Sequence, residues 1–114
     1  MSLPSGVGTE VLRRATLHDN TGYNTILSGS TGHVYVIVSL IFCNNTGTTY
    51  GCAIRVNDGT NNIELTTTGG QSVAPDETYV WNDRFIIEED DDLLVTNDHA
   101  DGDWYLTYID QHLA

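Results

Sequence analysis

The sequence predicts an all-β domain, an antiparallel β-sandwich or jelly roll of about eight strands. Three observations carry that expectation. The longest apolar run, His33–Cys43, is rich in β-branched residues and is bounded by Gly32 and by Asn44 and Asn45, which marks a strand and not a helix. Short apolar segments recur along the chain between clusters of Gly, Asn, Asp and Thr. No long stretch repeats its apolar residues at the 3.6-residue helical period.

Residues 1–10 are small, glycine-containing and aperiodic, and read as an N-terminal arm; residues 11–114 read as one sandwich domain. From Val11 to His18 two sets of residues alternate, a first strand. Asp19–Gly22 is a turn, Tyr23–Leu27 a second strand, and Ser28–Gly32 a connection into the central one. Tyr50–Val56 follows, with Tyr50, Cys52, Ile54 and Val56 on one face. Asp58-Gly59 is a hairpin signal between Val56 and a returning strand, Ile63–Thr67. Thr68–Gln71 reads as a loop and Pro75–Glu77 as a turn. Thr78–Asn82 and Arg84–Ile87 are strands, the acidic turn Glu88–Asp92 leads into Leu93–Asn97, and Asp103–Asp110 closes the sheet.

Strict alternation along the central run puts Val34, Val36, Val38, Leu40 and Phe42 on one face, all apolar, the expected core face. The other face carries His33, Tyr35, Ile37, Ser39, Ile41 and Cys43. Each sheet of a sandwich needs only one buried face, so the stripe Tyr35, Ile37 and Ile41 predicts a second burial event. The candidate surface for it is His33, Tyr35, Ile37 and Ile41; the alternative is that the arm or the first strand folds over the stripe.

A chain of 114 residues can bury ~65% of its unfolded surface and fold without staples. Four Arg, no Lys and 16 acidic residues give a net charge of -12. Such a surface repels phosphate backbones and anionic lipid, which argues against nucleic-acid and membrane binding. The first residues show no basic stretch followed by an apolar one, and Val34–Phe42 is too short to span a bilayer as a helix, so synthesis in a cytoplasm is expected. Cys43 and Cys52 are then expected as free thiols. If the strands carrying them formed a hairpin, the register that buries more carbon would also separate the two sulfurs.

Glu88–Asp92 and Asp98, Asp101 and Asp103 crowd carboxylates into two turns. Neither has the Asp-x-Asp-x-Asp-Gly spacing of a calcium loop, so solvated acidic turns are expected and no metal or other cofactor. His18, His33, His99 and His112 lie in no nucleophile elbow, zinc pair or phosphate loop, and without Lys there is no Schiff-base chemistry. The expectation is a protein without catalytic residues.

Four segments in this order resemble small β-sandwich virion proteins of tailed bacteriophages, which occur as capsid decoration proteins and as modules of tails and fibres. They are Thr31–Val38 leading into Ile41–Gly47; Ala53–Gly59; Val73–Tyr79 with Phe85–Val95; and Trp104–Asp110. The resemblance covers about residues 31–110 and rests on strand-and-turn patterns. It implies a homotrimer located in the virion, synthesised in a bacterial host cytoplasm, with the major capsid protein or another virion protein as partner. Short length and a lone domain favour a capsid decoration (cement) protein over a tail, neck or fibre-head component. From another class, a carbohydrate-binding module would need Tyr23, Tyr50, Trp81 or Trp104 exposed for stacking on sugar rings.

Overall fold

The computed structural model describes residues 9–18, 22–66, 70–97 and 102–112. Ten strands fill most of them: β1 (Thr9–His18), β2 (Asn24–Ser28), β3 (His33–Asn44), β4 (Tyr50–Asn57), β5 (Asn62–Glu64), β6 (Gln71–Val73), β7 (Thr78–Trp81), β8 (Phe85–Ile87), β9 (Asp92–Asn97) and β10 (Gly102–His112). One sheet has the order β1-β10-β3-β7, with β8 pairing the other half of β3. The second has the order β2-β9-β4-β5, with β6 pairing the start of β4. Every pairing is antiparallel.

The pairings nest: β1 with β10, β2 with β9, β3 with β7 and β8, β4 with β5 and β6. The chain is thus one long hairpin rolled up, and β10–β3 and β9–β4 close the roll. This is the jelly-roll form of the sandwich that the turn spacing predicts. The Asp58-Gly59 hairpin forms as expected, with Val56 opposite Ile63 and Gly59 at φ 94°. Two details differ. Gln71, read as the end of a loop, opens a short strand, Gln71–Val73. The strand expected over Ile63–Thr67 ends at Glu64, because Leu65 and Thr66 both donate to the Ile54 carbonyl and the Thr66 hydroxyl takes the Ile54 N–H. Of the expected arm, residues 1–8 lie outside the described residues, and Thr9 and Glu10 already belong to β1.

Between the sheets lie Trp104, Leu106 and Tyr108 of β10, Leu40 and Phe42 of β3, Ile54 of β4, Ile87 of β8 and Leu93 and Val95 of β9. Asn44, at the end of β3, is the polar member of this interior. Its Nδ2 donates to the carbonyls of Thr48 (2.9 Å) and Val73 (3.0 Å), and its Oδ1 accepts from the Thr46 N–H and hydroxyl. One side chain therefore ties the first sheet to the loop entering β4 and to β6 in the second. Beside it Gly102 leaves room for the Phe42 ring, which an added Cβ would strike. Cys43 and Cys52 are free thiols. They sit in different sheets, so β3 and β4 form no hairpin and the register argument about them has no object.

The face assignment of the central strand is corrected. Ile37 stands opposite Tyr108 and Ser39 opposite Thr107, so Val38 is an extra residue, a β-bulge. A bulge exchanges the two faces from that point on. Before it, Tyr35 and Ile37 point inward; after it, Leu40, Phe42 and Asn44 do. Val34 and Val36, expected in the core, face outward, while Ile37, expected outside, is 0% exposed.

Candidate functional site

The outward face of the first sheet is built from rows of residues that lie opposite one another across its strands. One row runs Thr16, Tyr105, Ile41, Val80. A second runs Leu12, Ile109, Val36, Ile86. Between them lies a shorter row, Arg14, Thr107, Ser39. Seven of the eight residues in the two long rows are apolar or aromatic. Leu12 is 69% exposed, Ile86 49%, Val80 46% and Tyr105 42%, whereas Val36, Ile41 and Ile109 are half-buried by their neighbours.

These positions follow from strand chemistry. Tyr79-Val80-Trp81 and Phe85-Ile86-Ile87 are apolar at every residue, so a strand in either place shows carbon on both faces. The inward members, Tyr79, Trp81, Phe85 and Ile87, pack on the core, and Val80 and Ile86 are left outside. Arg14 carries the only charge in the three rows and lies 6.0 Å above the Tyr105 ring. No carboxylate occurs in them, although the chain has 16. Glu10 and Asp103 stand one row further out, at the two ends. Tyr105 separates two shallow depressions. One, of about 610 Å³, includes Leu12, Arg14 and Thr107 in its walls; the other, of about 300 Å³, includes Thr16, Ile41 and Cys43 and is bounded at its end by the paired His18 and Asp103.

The outward face of the second sheet is different in kind. There Arg55 pairs with Glu64 (2.6 Å) and covers the Tyr23 ring at 3.6 Å, and Asn57 donates to Asn62.

Of the four residues predicted for a subunit surface, Ile41 lies on the outward face. Tyr35 and Ile37 are core residues, a correction that follows from the bulge. His33 turns inward at the strand end, its Nδ1 2.7 Å from Asp110 Oδ1 and its ring stacked on His112 at 4.4 Å. Arg13 Nε donates to the other oxygen of Asp110 at 2.9 Å. Burial alone would push the Asp110 carboxyl up, but the hydrogen bonds from His33 and Arg13 together hold it below the usual carboxylate range. Tyr35 and Tyr108 meet edge to face beside it, and burial raises both phenols. A His–Asp pair can orient a general base, yet no hydroxyl or thiol among the described residues is hydrogen-bonded to His33. The cluster joins β1, β10 and β3.

The remaining candidates disperse. Among the described residues no group of three or more His, Cys, Asp or Glu side chains could hold a metal ion. His99, Asp98 and Asp101 lie outside the described residues. Asp91 closes its own turn by accepting from the Glu88 N–H, and His18 is paired with Asp103, which also accepts from Asn45. Trp104, a proposed stacking residue, is 2% exposed, and Trp81 is half-buried with its indole N–H on the Asp83 carbonyl. Leu12, Arg14, Val36, Val80, Ile86 and Tyr105 were not singled out by sequence reasoning. Their signal lay in consecutive apolar residues, which show that both faces are apolar but not which side is covered.

No protein-family model matches the sequence, and no curated protein does. Among solved structures the chain is similar to the N-terminal endo-1,4-β-D-xylanase 10B of Clostridium thermocellum, in its CBM22-1–GH10 modules complexed with xylohexaose. The identity is 14% and the TM-score 0.39, over 94% of this chain and 26% of that one. The likeness is too distant to bear on function.

Proposed function

We propose that this chain is a non-enzymatic structural protein of a bacteriophage virion, a capsid decoration protein that binds the major capsid protein and stabilises the head as a homotrimer. The reading rests on the resemblance carried by residues 31–110. The observation that supports it is the outward face of β1, β10, β3, β7 and β8. It is a wide apolar surface with no carboxylate in its central rows, on a chain whose net charge is -12. Large exposed apolar patches mark contact with other macromolecules. A small jelly roll whose polar clusters tie strands together fits a building block better than an enzyme. A tail, neck or fibre-head component would self-associate through the same surface. The carbohydrate-binding alternative loses Trp104 to the core and Tyr23 to Arg55.

Gradient-purified particles of the phage that encodes the chain provide the test. Mass spectrometry should find it in stoichiometric amounts, and immunogold labelling should place it on the heads. Labelling confined to tails would move it to the alternative position, and its absence from particles would refute the virion role.

A further inference from the structure

We infer that the outward face of the first sheet, centred on Leu12, Val36, Ile41, Val80, Ile86 and Tyr105, is the surface on which copies of this chain bury one another. Area is the first argument. β10 is 11 residues long and four strands span the sheet, so at ~3.3 Å per residue and ~4.8 Å per strand the face measures ~700 Å². Two such faces bury ~1,400 Å² when the end rows that hold Glu10 and Asp103 are included, within the range of specific, stable interfaces; three of the five outward rows of β10 are the carboxylate-free ones. A flat sheet face also packs well on another, as the interior of a sandwich does.

Charge selects the occupant. Two molecules of net charge -12 repel wherever their carboxylates approach. The three central rows are the part of this face where that does not happen, because their one charge is Arg14. A basic partner would find its complement on the acidic remainder of the surface, not in these rows, which hold no carboxylate. Relief points the same way. The face supplies its own knobs, Leu12 and Tyr105, and its own hollows, the depressions on either side of Tyr105. A surface that carries both parts lets the knob of one copy enter the hollow of the next, as contact around a closed three-fold ring requires.

This inference rests on the self-association in the function proposed above and not on the virion role. Light scattering with size-exclusion chromatography at micromolar concentration should give two or three times the 12.5 kDa chain mass. Leu12→Glu with Ile86→Glu should raise the dissociation constant by roughly 100-fold or more and yield a monomer. Both side chains are exposed, so circular dichroism should show the sheet signal retained. Thr60→Glu, at an exposed position in the hairpin turn of the second sheet, adds one negative charge elsewhere and should leave the assembly intact. A wild-type monomer, or an assembly that survives the double substitution, would overturn the inference. Either result would leave the particle-labelling test of the virion role unaffected.

Discussion

Adjacent residues Val36 and Ile37 test the bulge that decides which face of the central strand is covered. Ile37 is 0% exposed, so replacing it by Asp forfeits about 1.5–3 kcal/mol of side-chain burial. It also places a carboxyl group in the core opposite Tyr108 and Phe85, which adds at least about 2–3 kcal/mol even when the group takes up a proton. A chain of 114 residues has a total stability of about 6–17 kcal/mol at 0.05–0.15 kcal/mol per residue. A loss near 5 kcal/mol therefore lowers the melting temperature by about 20 °C or more, or prevents folding. Val36→Asp faces outward between Ile86 and Ile109, where, in protein diluted below its self-association, Asp costs about 1 kcal/mol through poor strand propensity. Thermal melts followed by far-ultraviolet circular dichroism compare the two. Equal destabilisation, or a folded Ile37→Asp beside an unfolded Val36→Asp, would refute the exchange of faces at Val38.

Asn44→Ala strips the donor from the Thr48 and Val73 carbonyls and should cost about 3 kcal/mol; Asn44→Asp, which turns a carboxylate oxygen toward them, should cost more, both read from urea midpoints. Asp110 has its folded pKa held below the unfolded value of about 3.9, so its stabilising contribution is present above that pH and is lost as pH falls through the lower folded value. Wild-type stability should therefore fall more steeply than that of Asp110→Asn as the pH drops below about 4, in denaturant melts across that range; parallel profiles would dismiss the His33–Asp110–Arg13 cluster as a source of acid sensitivity. In protein diluted below its self-association, a thiol reagent should label Cys43 in the folded chain and Cys52 only after unfolding, by mass spectrometry of the labelled peptides.

What the sequence shows and what it hides follow from the same period of two. Turn chemistry locates nearly every strand, since Gly, Asn and Asp permit conformations that β-branched residues do not. The Asp58-Gly59 hairpin even carries its register. Pairing between sheets is less accessible. Whether Tyr50–Asn57 returns beside β3 or crosses to the other sheet depends on Asn44, which holds the intervening loop through hydrogen bonds to Thr46 and Thr48. Gln71–Val73 was hidden because its strand character comes from β4 beside it; only Val73 of its three residues is apolar. The candidate surface was half legible. That the central strand had two apolar faces could be read directly, but the bulge leaves no mark in a run where Val, Ile and Ser are all acceptable strand residues. Simple alternation puts Ile41, beyond the bulge, on its true outward face and misplaces Tyr35 and Ile37, before it.

The bulge also settles what β3 offers to the outside. Without it, Leu40 and Phe42 would share a face with Val34 and Val36, and Ile41 would share one with Tyr35 and Ile37. With it, the large residues Tyr35, Ile37, Leu40 and Phe42 all enter the core, and the outward face receives Val34, Val36 and Ile41. β10 needs no such exchange, since Trp104, Leu106 and Tyr108 alternate inward throughout, and its outward Tyr105 and Ile109 complete the two apolar rows. Solubility alone favours charge on an open sheet face. The opposite distribution is found, with Leu12 on an edge strand at 69% exposure and no carboxylate among the residues of the three central rows. A solitary acidic domain gains nothing from that arrangement. A domain that meets its own copies does, because a carboxylate in those rows would be carried into the contact by each copy, desolvated there and set against its own image.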